Sequence, residues 1–253
     1  MATRIYVIPI SNAAAAGAAM LRHKRIPHRV VTLPPGFHPM LVRAAGFKRH
    51  TVPALEIDAR KVQGSREIAR FLDELVPVPP LFPRDLEDRT RVEAAERWGE
   101  RVLQPLARRL FRHLLLTSAP ARIWFGSEVM RIPGAAAIAP AFVPVIRRLA
   151  TISHADDARV RDDLERLPEL LDHVDGLIED GTIGGAEPNA AAFQILASVR
   201  VLVEFEDLAG LLEGRACVPA ARRLYPDWAG PIPHGLPASQ LSEGSAGMVA
   251  ISR

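Results

Sequence analysis

The sequence predicts a small α/β domain followed by a larger all-helical domain. Three observations carry this reading. Runs of β-branched residues alternate with short helical stretches only as far as residue 75, a proline-rich segment follows, and the apolar spacing beyond it is helical. At 253 residues the chain has the size at which one core gives way to two. Hydrophobic residues make up 48% and charged residues 24%, the balance of a globular chain rather than a disordered one.

Arg4 to Pro9 (RIYVIP) is rich in β-branched and aromatic residues and ends at a proline, so it reads as a short buried strand. Ser11 supplies an N-cap, and Asn12 to Ile26 follow as a helix whose alanines, Ala13 to Ala16, Ala18 and Ala19, allow close approach to a sheet. Arg22, Lys24 and Arg25 suit its negative end, and Pro27 stops it. His28 to Leu33 makes a second strand, parallel to the first in a β-α-β unit. After a short helix around Met40 to Ala45, Thr51 to Asp58 (TVPALEID) reads as a strand entered through Val52-Pro53. A turn at Asp58 to Arg60 and a strand over Lys61 to Gln63 make a hairpin. Gly64-Ser65 then caps a helix over Ser65 to Leu75, with Ile68, Phe71, Leu72 and Leu75 on one face.

Val76 to Pro83 (VPVPPLFP) cannot continue either periodicity and reads as a stiff linker. Helices are expected over Leu86 to Leu116, Ala121 to Met130, Ala135 to Leu149, Ala155 to Glu179, Ala190 to Glu206 and Pro219 to Leu224. From Pro226 onward Pro, Gly and Ser dominate, which reads as a tail.

The charge balance, 32 basic against 29 acidic side chains, gives little reason to expect a nucleic-acid or lipid partner. Arg108, Arg109 and Arg112, Arg147 and Arg148, and Arg222 and Arg223 have no interleaved aromatic residues and read as solvated helix faces. A single cysteine, Cys217, excludes an internal disulfide and a CxxC motif and favours a cytoplasmic, reducing environment. It reads as a buried small hydrophobe. The longest apolar run, Pro133 to Ile146, carries three prolines and is shorter than the ~20 residues of a membrane span. The histidines lack HxxxH or HExxH spacing, so no metal is expected.

Several segments, in order, resemble glutathione S-transferases. They are Pro9-Ile10-Ser11 at the end of the first strand, Thr51 to Leu55 (TVPAL), and Gly64 to Leu72 (GSREIARFL), which is similar to the family pattern E-S-x-A-I-x-x-Y-L. The proline linker, the helix opening EDRTRVEAAERWGE and the later Gly185-Ala186-Glu187-Pro188-Asn189-Ala190-Ala191 extend the likeness over residues 4 to 206. The resemblance implies a thioredoxin-like thiol-binding domain over residues 1–76, a linker over 77–84, an all-helical domain over 85–228 and a tail over 229–253.

It also implies a site. Val52 would offer its backbone to the cysteinyl part of glutathione, through a cis Val52-Pro53 bond. Ser65 would bind the γ-glutamyl carboxylate, as a helix N-terminus with a hydroxyl is suited to do. The acidic residue that the family places before it is Gly64 here, which leaves room for another small thiol as cosubstrate. Lys48, Arg49 and His50 stand where the family binds the glycine carboxylate, and Arg49 is the one assigned to binding. Ser11 is the candidate catalytic residue, because a hydroxyl donor at a helix N-terminus favours a thiolate. Asn12 would add an amide donor beside it, whereas Tyr6 lies inside the strand rather than at its exit. Asn189 matches the family's buried helix cap, although Ala192 leaves the capping box incomplete.

The expected function is that of a dimeric, cytoplasmic, detoxification-type transferase that activates glutathione or another low-molecular-weight thiol for transfer to a hydrophobic electrophile. Trp98, Phe111, Trp124 and Phe125 are candidate walls of the electrophile site. The alternative is a non-catalytic member of the same fold that binds apolar ligands or partner chains. Thiol reductase chemistry would need a cysteine in place of Ser11.

Overall fold

The computed structural model describes residues 3–237, so the tail expected over 229–253 lies outside the described residues from 238 onward. The first domain is a four-stranded sheet, β1 (Thr3–Val7), β2 (Arg29–Thr32), β3 (Ala54–Ile57) and β4 (Arg60–Gln63), in the order β2-β1-β3-β4. β1 and β2 are parallel, with Ile5 opposite Val30, while β3 runs antiparallel to both β1 and β4. The helices α1 (Asn12–His23), α2 (His38–Ala44) and α3 (Ser65–Leu75) connect and flank the strands. This is the thioredoxin-like arrangement the sequence implied.

The alanines of α1 let it approach the sheet on one side and the second domain on the other. A Cβ on Gly17 would come within 3.1 Å of Ile5 Cδ1 and 3.4 Å of Pro53 Cβ, so the bare backbone is what lets the helix lie this close to the strand exits. Gly64 caps α3 through backbone only, at φ +98°, a conformation that glycine adopts without penalty. Ser65 is therefore the first helical residue and not the cap, and its hydroxyl is spared that task.

The second domain begins with α4 (Leu86–Trp98) and α5 (Gln104–Thr117), which the sequence reads as one helix over Leu86 to Leu116. They are continuous through a π-helical stretch, Gly99–Leu103, where Gln104 N–H bonds to Gly99 O. Pro105 has no N–H to continue the i→i−4 ladder, and the wider turn precedes it. Next come α6 (Ala119–Trp124), α7 (Ala135–Ile138), α8 (Val143–Ile152), α9 (Asp157–Glu179), the buried α10 (Ala190–Val203), a short α11 (Ala209–Leu212) and α12 (Cys217–Leu224). Despite the incomplete capping box, Asn189 caps α10. Its Oδ1 accepts from Ala192 N–H at 3.0 Å, while its Nδ2 donates to Thr182 O at 2.8 Å.

Two polar devices hold the domains together. Lys24, at the end of α1, is buried and donates to Asp73 Oδ1 at 2.7 Å and to the carbonyls of Val76 and Pro79, both at 2.6 Å. Asp73 Oδ1 also accepts Leu81 N–H at 2.6 Å, so one buried ion pair fixes the proline-rich crossing. Across the interface, Glu96 of α4, 1% exposed, accepts from Arg66 at 3.0 Å and Arg70 at 2.9 Å, both on α3.

Cys217 is fully buried at the start of α12. Burial first, and the neighbouring Asp175 carboxylate next, push its thiol up to about 12. Because the folded value lies above the ordinary ~8.5, the unfolded chain loses this proton first. The thiol's contribution to stability is therefore whole below ~8.5 and falls as the pH rises toward 12. Alkylation by iodoacetamide at pH 9 is expected only after unfolding in urea; modification of the folded protein at the rate of a free thiol would contradict this burial.

Candidate active site

The site forms where β1 turns into α1. Ile10, with φ +56°, makes the turn in a conformation unusual for a β-branched residue, and it presents Ser11 at the N-terminus of α1. Ser11 Oγ accepts from Ala14 N–H at 3.3 Å, which is the cap. Among the described residues nothing accepts the hydroxyl proton of Ser11.

Opposite it, the Val52-Pro53 bond is cis. Gly64 N–H bonds to Pro53 O at 3.0 Å, which ties the start of α3 to this strand entry. The N–H and C=O of Val52 bond to no other described residue. Ser65 Oγ likewise has no partner among the described residues, although Ser65 is 3% exposed. Ser11, Val52, Pro53 and Ser65 all line one cavity of about 670 Å³.

Arg49 reaches the same cavity, donating to Glu67 at 3.0 Å, and its backbone is pinned to the Gln63 side chain in both directions. Lys48 and His50 do not line it. Asn12 does line it, but its amide faces the second domain, donating to Gln104 O at 3.2 Å and Ser198 Oγ at 3.1 Å. Both amide protons are thereby committed to joining α1 with α5 and α10. Tyr6 packs edge-on against Phe47 at 5.5 Å, away from the cavity.

From this polar end the cavity continues into the helical domain. Phe111 of α5 and Phe125, just beyond α6, face it with ring centroids 5.6 Å apart. Trp98 instead packs on His173 at 4.3 Å, and Trp124 joins the core, so two of the four expected aromatics form the wall. Ile138, Phe142, Ile146 and Leu149, from α7 through α8, close the other side. The stretch Ala135–Ile152 is long and apolar enough, by length and composition, to cross a membrane, and little of it is buried. Part of that apolar exposure is the row of residues facing the cavity.

The first domain matches the glutathione S-transferase N-terminal domain over residues 5–80. Residues 5–80 thus form a glutathione S-transferase N-terminal domain. Poplar glutathione transferase F1 is 18% identical, with a TM-score of 0.60 over 87% of this chain and 90% of that one. A glutathione S-transferase from Sinorhizobium meliloti is 15% identical, with a TM-score of 0.58 over 96% and 99%. FzlA from C. crescentus is 18% identical, with a TM-score of 0.54 over 96% and 100%. At these identities the likeness shows the fold. No curated protein matches the sequence.

Two features of this site escape sequence reasoning. A Cβ on Gly64 would lie 2.2 Å from Glu67 Oε2, so the Glu67 carboxylate fills the space into which a side chain at position 64 would project. A carboxylate from the first turn of α3 thus lies on the cavity beside Gly64. Secondly, Arg108 and Arg112 of α5, the first exposed and the second half-buried, line the cavity, since they share the side of α5 that carries Phe111 and Leu115. Of that cluster only Arg109 points away, into a bidentate pair with Asp163 at 2.5 and 2.6 Å.

Proposed function

We propose that this chain binds glutathione at the polar end of the cavity and joins it through its sulfur to an apolar electrophile held by the helical end. One observation carries the reading. The hydroxyl proton of Ser11, the peptide of Val52 and the hydroxyl of Ser65, none of them partnered among the described residues, converge on one cavity that runs on into an apolar wall.

In this assignment Val52 pairs with the cysteinyl backbone, and Ser65 with the N-terminal amides of α3 holds the γ-glutamyl carboxylate. Glu67 faces the ammonium group, and Arg49 the glycine carboxylate. That set favours a γ-glutamyl thiol over simpler ones. The thiol loses its proton to solvent, and Ser11 donates a hydrogen bond to the resulting thiolate sulfur, with the N-terminus of α1 adding its positive end. The sulfur lone pair then forms a C–S bond to the electrophilic carbon, and the leaving group departs with the bonding pair it shared with that carbon. The family resemblance adds a homodimer and a cytoplasmic setting to the proposal.

Calorimetric titration with glutathione is expected to show one site per chain, weakened about tenfold or more by Ser65→Ala, since a hydrogen bond to a charged group contributes about 1.5–3 kcal/mol. Because Gly64 and not Ser65 caps α3, the variant should keep its thermal stability. Glutathione that fails to bind would overturn the reading, while binding without turnover toward any apolar electrophile would favour the non-catalytic alternative.

A further inference from the structure

The helical end of the cavity is apolar except for its charges, and those charges are unbalanced. Two carboxylates line the cavity, and each is held by an arginine: Glu67 by Arg49 at 3.0 Å and Glu100 by Arg66 at 3.2 Å. Three lining arginines have no carboxylate partner among the described residues: Arg108, Arg112 and Arg122.

Arg122 has a structural explanation. It donates to the carbonyls of Leu115 and Leu116 at 3.1 and 3.0 Å, satisfying the C-terminal end of α5. The other two are not explained this way. Arg112 donates once, to Leu149 O at 3.0 Å, and Arg108 makes no hydrogen bond or ion pair with any described residue. They stand four residues apart on α5, where like charges repel. Surrounding protein, and then the charge of Arg108, pull Arg112 down to about 10, so it still carries its proton at neutral pH. His38 of α2 lines the same cavity with its Nδ1 buried and unpartnered.

Arg108 is exposed and Arg112 half-buried on the cavity wall, so two guanidiniums stand side by side next to apolar residues with no anion on either among the described residues. We propose that the helical end of the cavity binds an apolar molecule bearing a carboxylate, with the carboxylate on Arg108 and Arg112 and the apolar body against Phe111, Phe125, Phe142 and Ile146. Arginine suits this role, since its planar fork of donors matches a carboxylate. The inference rests on the function proposed above only in making this ligand the electrophile that meets the thiol; the binding itself does not require the thiol.

A matched pair of ligands tests it: decanoate and decan-1-ol, below micellar concentration, titrated into the full chain by calorimetry without thiol. Decanoate is expected to bind at least about tenfold more tightly than the alcohol, and added salt should erode that preference while sparing the alcohol. Arg108→Gln should remove most of the preference and leave decanol affinity within about twofold. This variant relieves a like-charge contact and breaks no hydrogen bond to the described chain, so it should fold. Arg112→Gln should act in the same direction. Equal affinity for the two ligands, or a preference that survives Arg108→Gln and salt, would overturn the inference. Its failure differs from failure of the thiol reading, in which glutathione does not bind while the preference for decanoate persists.

Discussion

Lys24→Met is expected to lower the stability of the protein by about 3–5 kcal/mol, the cost of breaking a buried ion pair by removing one partner. The Lys24 side chain is wholly buried, and its ammonium makes three short bonds, to the Asp73 carboxylate and to the carbonyls of Val76 and Pro79. Removing it strands a carboxylate and two carbonyls at the crossing between the domains. Methionine keeps most of the volume, so the loss reads the charge and the hydrogen bonds rather than a cavity. The measurement is the midpoint of urea unfolding at unchanged m-value. Pairing the change with Asp73→Leu should recover part of the loss, although Leu81 N–H then loses its acceptor. A loss below about 1 kcal/mol would mean that the crossing is held by packing alone.

Ser11→Ala is expected to reduce turnover of glutathione with an activated aryl halide by about 10–100-fold, corresponding to one hydrogen bond to an anion. Binding should change much less, because Val52, Ser65, Glu67 and Arg49 remain. The substitution also removes the α1 cap, worth about 1 kcal/mol, so thermal stability will fall somewhat. Ser11→Thr separates the two roles, since it keeps both a capping oxygen and a donor and should restore turnover. If alanine and threonine variants turn over alike, Ser11 is a cap and nothing more.

Most of the first domain was legible in the sequence because its signals are local. A β-branched run ending at Pro9, the alanines of α1, Val52-Pro53 and the apolar face of α3 each fix an element within a few residues. The placement of Ser65 and Ser11 at helix starts follows from the same local chemistry. What was not legible depends on distant partners. Asn12 is a candidate ligand by its neighbours in sequence, yet its amide is drawn to Ser198, 186 positions away. Arg108 and Arg112 look like any solvated arginine pair at i and i+4, and only the position of α7 and α8 turns that face into a cavity wall. Lys24 suits a helix C-terminus by rule, but its burial follows from the linker folding back over it. The helical break at Gly99–Leu103 could have been read from Pro105, the residue that interrupts the ladder.

The most direct test of the thiol site is the ionisation of the bound thiol itself, followed as the ultraviolet absorbance of the thiolate while a saturated complex with glutathione is titrated with base. With the hydroxyl of Ser11 and the N-terminus of α1 facing the sulfur, the bound thiol is predicted to ionise below the ~8.5 of a free cysteine thiol. The same titration on Ser11→Ala should move it back toward that value. A bound thiol that ionises at its solution value in both proteins would contradict the account, because the sulfur would then feel neither the hydroxyl nor the helix.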